Sequence, residues 1–235
     1  MNLLVFAHNS TLENITEVYS ATVKTGFSNL AGNKGAVAVT LKYKDVAFLF
    51  IGAHLSAGQF DVEKRNQNFL RIMTEMSIGN NIGSENVRII DKYNVAIFMG
   101  DLNYRVNIDN EAGAKLIKND SALKLLEFDQ LSAELSNNIC YQGLHEGLIN
   151  FNPTYRLKTG KSNEYDFERI PSWTDRILFK SKGNLFTQLK YNSINTTYTS
   201  DHKPVYSLFK FEIITKELVK PDYKEIRHFN SCILF

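Results

Sequence analysis

Cysteine, proline and tryptophan are scarce in this 235-residue sequence, which has two Cys, four Pro and one Trp. Cys140 and Cys232 lie far apart, the second almost at the carboxyl end, which excludes a disulfide framework and points to a reducing compartment. With so little Pro and only thirteen Gly there is no low-complexity segment or linker, and no internal repeat is visible. No charge sign dominates: 27 Lys and Arg stand against 25 Asp and Glu, a net +2. No global field would draw such a chain onto nucleic acid, so any bound anion must be held by a local cluster. Long apolar runs are also missing. The longest, residues 46–55, falls well short of the roughly 18 that a membrane-spanning helix needs. Residues 3–7 have neither the basic flank nor the small-residue cleavage pattern of a signal peptide.

What is present is a hydrophobic content of 43%, with sixteen Phe and eleven Tyr, enough for one globular domain with a sizeable core. Short runs rich in β-branched and aromatic residues read as strands at 3–7, 36–41, 46–53, 95–99, 177–179 and 205–211. Between them, 61–76 reads as a helix with Phe69, Ile72, Met73 and Met76 on its apolar side and Asp61 placed to cap it. Segments 111–117 and 122–135 are weaker helical candidates. Strands outnumber helices, which argues for an α+β sandwich. Residues 141–171 follow neither period and read as a long irregular loop, of the kind that carries function.

Three segments carry chemistry. In Phe98-Met99-Gly100-Asp101-Leu102-Asn103-Tyr104-Arg105 an apolar strand runs into a glycine, with an acid and an amide two positions apart at its mouth. By itself, an Asp after Gly is equally a turn former. Ser200-Asp201-His202-Lys203-Pro204 sets a carboxylate beside an imidazole, a pair able to relay a proton or hold a metal and also an ordinary solvated loop. In Arg169-Ile170-Pro171-Ser172-Trp173-Thr174-Asp175-Arg176-Ile177-Leu178 an Asp at a strand entrance can orient a histidine, as in hydrolytic triads, or pair structurally with an Arg beneath the Trp.

In this order the three segments resemble the signature blocks of the inositol polyphosphate 5-phosphatases, members of the endonuclease/exonuclease/phosphatase superfamily. Gly32-Asn33-Lys34-Gly35, His54-Leu55, Glu63-Lys64-Arg65-Asn66-Gln67 and Pro153-Thr154-Tyr155-Arg156 agree as well, and the resemblance runs from about residue 3 to residue 211. It implies a four-layer αββα sandwich with its catalytic groups on loops along one rim. By the same resemblance, Asp101 would orient and deprotonate the attacking water and Asn103 would donate to phosphoryl oxygens. His202, held by Asp175, and His54 would touch the scissile phosphate, and Asp201 would lie beside a Mg2+ cofactor. Lys34, Tyr155, Arg156 and Arg169 would bind the substrate's phosphates, arginines suiting such anions through paired hydrogen bonds. Where relatives carry a lysine two positions before the arginine that matches Arg169, this sequence has Phe167.

The family's metal-binding Glu, which lies ahead of the segment matched here, has no equivalent in this sequence. The resemblance therefore implies an N-terminally incomplete catalytic domain over residues 1–213 and a tail over 214–235. The chain ends Cys232-Ile233-Leu234-Phe235, a C-a-a-X pattern for which geranylgeranylation of Cys232 is expected. The expected function is hydrolysis of the 5-phosphate of phosphatidylinositol 4,5-bisphosphate, a related lipid or a soluble inositol polyphosphate. The expected place is cytoplasmic, on the cytosolic face of membranes through the prenyl group. The alternative is a phosphoinositide-binding module without turnover. A nuclease is disfavoured by the near-neutral charge and by the cluster of Tyr155, Arg156 and Arg169.

Overall fold

A computed structural model describes residues 1–26, 34–183, 186–215 and 226–234, with the backbone alone for 213–215 and 226–234. In chain order the elements are β1 (Ile15–Lys24), β2 (Gly35–Tyr43), β3 (Val46–His54), α1 (Val62–Glu75), β4 (Ser77–Ile78), β5 (Asn81–Ile82) and β6 (Val95–Asp101). They continue with α2 (Asn110–Lys118), α3 (Gln130–Asn137), β7 (His145–Glu146), β8 (Asp175–Ser181), β9 (Phe186–Ser193), β10 (Val205–Thr215) and β11 (Ile226–Leu234). Six strands form one sheet in the order β1-β2-β3-β6-β8-β7, and β11-β10-β9 form another. This is the expected α+β class. Among the described strands only β3 and β6 run parallel, and α1 lies in the crossover between them.

The two faces of β3 explain the layers. Leu49, Ile51 and Ala53 point to one side, where α1 lays Phe69, Ile72 and Met73, all with no exposure, onto the sheet. Burial of each such side chain is worth about 1.5–3 kcal/mol. Val46, Phe48 and Phe50 point to the other side and form a second cluster with Ile97, Ile177, Phe186 and Phe209, which joins the six-stranded sheet to β9 and β10. A strand buried on both faces reads as an unbroken apolar run, which is why β3 is so legible.

Several expectations need correction. Residues 3–7 form no strand: the first eight residues join no ladder, and Leu4 and Phe6 are 74% and 87% exposed. Asp61 stands at the N-cap of α1 but makes no side-chain capping bond. The helix expected over 122–135 is broken. A 3-10 helix, Ala122–Phe128, ends at Asp129, which caps α3 through Ser132 N and pairs with Arg176. The expected tail contains β11, which extends β10 antiparallel with Cys232 at the register of Phe209. Phe235, the last residue of the C-a-a-X pattern, lies outside the described residues.

Candidate active site

Register across the sheet builds the site. Gly35 pairs with His54, His54 with Asp101, and Asp101 with Asp175, so β2, β3, β6 and β8 present one row at the same end of the sheet. Residues directly opposite one another point to the same face. Lys34 immediately precedes this row. Two glycines let the strands close up there: a Cβ on Gly100 would sit 2.1 Å from the Ala53 carbonyl oxygen, and one on Gly35 2.1 Å from that of Val23.

His54 Nε2 lies 3.2 Å from Asp101 Oδ2 and 2.5 Å from Lys34 Nζ. One ring nitrogen cannot donate to a carboxylate and accept from an ammonium at once. Nε2–H donation goes to Asp101 and Lys34 lies against the same nitrogen; burial lowers the Lys34 ammonium below its ordinary value, against the upward pull of Asp101. Burial pushes Asp101 up, but the hydrogen bond from His54 and the charges of His202, His54 and Lys34 outweigh it and hold the carboxyl below its ordinary range. Asp101 is therefore an anion at neutral pH. Its Oδ1 accepts from Asn103 N at 3.0 Å.

The second carboxylate has its own imidazole. His202 Nδ1 stands 2.9 Å from Asp175 Oδ2, which also accepts from Thr154 Oγ1 at 2.8 Å and Thr174 Oγ1 at 3.0 Å. Nδ1–H donation to Asp175 leaves Nε2 as the ring's outward nitrogen. Burial pushes His202 down, but the bond to Asp175 and the charges of Asp175, Asp101 and Asp201 raise it overall, favouring the imidazolium. Backbone bonds from Lys203 N to Thr154 O and from Leu157 N to Asp201 O tie the histidine's loop to residues 154–157. Sequence reasoning missed Thr154 and Thr174. Both stand inside the quoted segments without a role there, because the three-donor cradle around Asp175 depends on a fold contact.

The other expected residues are distributed unevenly. Asn103 is buried at a positive φ of 60°, and its Nδ2 donates to Leu55 O at 3.0 Å and Asp101 Oδ2 at 3.2 Å. Donation to a phosphoryl oxygen would require one of these bonds to be given up, so in this state Asn103 braces Asp101. Tyr155 packs against His202 at a tilt of 39°, with ring centroids 4.7 Å apart. Arg156 is surrounded by carboxylates: Glu168 at 3.1 Å, Asp166 at 3.4 Å and Asp201 at 3.8 Å. A phosphate would have to compete with them for the guanidinium. Arg169 is exposed on the same loop, and the Phe167 ring lies under Lys118 Nζ. A cavity of about 1210 Å³ opens between the sheets, with His54, Asp101, Asp175 and Lys203 among its lining and Phe48, Phe50 and Ile97 on its apolar walls.

The residues present do not make a resident metal site. Among the described residues no group of three or more His, Cys, Asp or Glu could hold an ion. Both oxygens of Asp101 and the Oδ2 of Asp175 already accept hydrogen bonds, and Asp201 turns toward Arg156. A hard divalent cation needs about six oxygen ligands.

The layered α+β sandwich thus sets two Asp–His couples, His54 with Asp101 and His202 with Asp175, at one end of the sheet. Residues 1–208 match the model of endonuclease/exonuclease/phosphatase family 2. The chain is 36% identical over 214 residues to a phosphatidylinositol 4,5-bisphosphate 5-phosphatase of Saccharomyces cerevisiae, covering 90% of this chain and 22% of that protein. It is 35% identical over 230 residues to a type II inositol 1,4,5-trisphosphate 5-phosphatase of Mus musculus, covering 95% of this chain and 23% of that one. Among solved structures, the inositol polyphosphate 5-phosphatase domain of SPsynaptojanin, crystallised with inositol (1,4)-bisphosphate and a calcium ion, matches with a TM-score of 0.75 and 27% identity. That match covers 95% of this chain and 57% of the other. The chain belongs to the endonuclease/exonuclease/phosphatase family, and its relatives there are inositol polyphosphate 5-phosphatases. It spans less than a quarter of the length of the two curated relatives.

Proposed function

We propose that this chain is the catalytic part of a phosphatase that removes the 5-phosphate from a phosphoinositide, such as phosphatidylinositol 4,5-bisphosphate, or from a soluble inositol polyphosphate. The observation that carries the proposal is the row of His54, Asp101 and Asp175 with His202 bonded to Asp175. Phosphoryl transfer needs an in-line nucleophile and donors around charged oxygens, and positioning with electrostatics provides most of the acceleration. Asp101, kept anionic and braced by Asn103, orients a water and takes its proton as the water oxygen bonds to phosphorus. The bond from phosphorus to the inositol 5-oxygen breaks, and that oxygen leaves as the ring hydroxyl with a proton from solvent. His202, favoured as imidazolium, and His54 with Lys34 face the phosphate's negative oxygens. Tyr155 and Arg169 contribute to the remaining phosphates, and Arg156 joins them on release from its acidic partners.

Magnesium belongs to the proposal as a required ion whose ligands the described residues do not supply alone. Attachment to the cytosolic face of membranes through a geranylgeranyl group on Cys232 also belongs to it. Among the described residues no helix is long and apolar enough to cross a membrane. Prenylation would require the last residues to leave the β10 ladder, and mass spectrometry of the protein from cells reads it directly.

Phosphate release from defined inositol headgroups, with magnesium present, compares the full-length protein with Asp101→Asn. Loss in the variant supports the assignment, while equal rates remove Asp101 from the mechanism. That no group of three or more His, Cys, Asp or Glu among the described residues could hold a metal ion favours a second reading, a phosphoinositide binder without turnover. Headgroup binding with no phosphate release by the unaltered protein would select it.

A further inference from the structure

Arg105 stands between the two halves of the site. It is only 8% exposed, and its backbone is fixed by Gln130, whose Oε1 accepts from Arg105 N at 2.8 Å and whose N–H donates to Arg105 O at 2.9 Å. Gln130 is itself held by Arg65 and Asn107. From this post the guanidinium reaches in two directions. Nε donates to Asn103 O at 3.0 Å and Nη2 to Asn103 Oδ1 at 2.6 Å. Its Cζ also lies over the Tyr155 ring, 4.5 Å from the centroid, and Tyr155 packs on His202.

We infer that Arg105 is a positioning residue that fixes the Asn103 carboxamide against Asp101 and, through the Tyr155 ring, the plane of His202; this rests on the hydrolase reading above. A guanidinium has only donors, so it accepts only the oxygen end of the amide as its partner. That choice sends Nδ2 toward Leu55 O and Asp101. Without it Oδ1 loses its donor, and the carboxamide is held only from its Nδ2 end by Leu55 O and Asp101 and can tilt away from the carboxylate. The same planar group stacks on an aromatic face, which an ammonium does less well while also satisfying only one of the two oxygens in a fixed fork. One side chain thus sets the water-orienting acid and the phosphate-facing imidazole in a common frame.

The test is Arg105→Lys in the full-length protein. Misplacement of the reacting groups by about 1 Å can cost on the order of 10²-fold, so kcat should fall by that order while KM stays put. A raised KM with unchanged kcat would make Arg105 a phosphate contact and overturn the inference, as would no change in either. The downfield imidazole Nδ1–H resonance of His202 gives a readout without turnover. It should shift or broaden in Arg105→Lys, and an unmoved resonance counts against the coupling. If Arg105→Lys does not fold, Tyr155→Leu, which removes the ring between Arg105 and His202, should shift or broaden the His202 Nδ1–H resonance, and an unmoved resonance overturns the coupling. An unaltered protein that releases no phosphate defeats the hydrolase reading, and the resonance still decides the geometry.

Discussion

Asp101 and Asp175 stand directly opposite one another on the antiparallel strands β6 and β8, two carboxylates on one face of one sheet. Like charges in that relation destabilise a sheet. Here each is given its own imidazole, His54 for Asp101 and His202 for Asp175, and Lys34 closes one end of the row. The pair is kept because their environments differ. Asp101 is tied to the motif that follows it, whereas Asp175 sits in a cradle of two threonine hydroxyls that keeps its Oδ2 on His202.

That cradle sets a pH dependence. His202 is raised chiefly by its bond to Asp175, so its imidazolium persists to higher pH than an ordinary histidine's. If the imidazolium is the phosphate-facing form, activity falls on the alkaline side as pH passes through the raised value. In Asp175→Asn that limb should move to lower pH and kcat should drop. A pH–rate profile of both proteins measures this, and coincident alkaline limbs would separate His202 from the reaction.

The strands that sequence made visible are those whose burial is high. β2, β3, β6, β8 and the start of β10 are apolar runs because they lie inside the sandwich. β1 went unread because it lies at an edge with most residues exposed, and β9 because polar residues such as Gln188 and Lys190 interrupt it. The apolar run at 3–7 misled for the converse reason, since strand preference expresses itself through partners and these residues have no ladder. In the site, residue types were legible from motifs and their arrangement was not. The row from Gly35 to Asp175 depends on pairings between distant segments, and the carboxylates around Arg156 are brought in by folding of its loop.

Beneath the row, Arg176 is fully buried with Asp129 at 2.9 Å and Glu146 at 2.6 Å. Removing one partner of a buried ion cluster leaves the others uncompensated, at a cost of about 3–5 kcal/mol. Arg176→Met should lower stability by that amount, with two acids stranded. Trp173, the chain's single tryptophan, has no exposure and donates to Phe151 O at 2.9 Å, so its fluorescence reports urea unfolding. An unchanged urea midpoint would mean that the acids are solvated in the folded protein.

Gly100 precedes Asp101 with φ at 131°, where side chains are strained, and its missing Cβ makes room for the Ala53 carbonyl. Gly100→Ala must push β6 away from β3 at the place where His54 meets Asp101. It should cost about 1–3 kcal/mol and reduce phosphate release more than a surface Gly160→Ala change, which shares the strain of a positive φ, 77°, but whose Cβ meets nothing within 4 Å. Thermal melting and phosphate release on both variants check it, and equal effects would remove the close approach as the reason for glycine.

The two Asp–His couples also give opposite pH signatures in stability. Asp101 is depressed in the folded protein, so its contribution is present above the unfolded carboxyl value of about 3.9 and is lost as pH falls through the folded value. His202 is raised, so its contribution is full below about 6.5 and is lost as pH rises through the folded value. The melting temperature of the unaltered protein minus that of Asp101→Asn should therefore be largest above about pH 4 and shrink in stronger acid. The same difference taken against His202→Ala should be largest below about pH 6.5 and shrink toward alkaline pH. Melting curves from pH 3 to 9 measure both. Flat differences would mean that neither couple changes its protonation on folding, and the charge arrangement assigned to the row would fail with them.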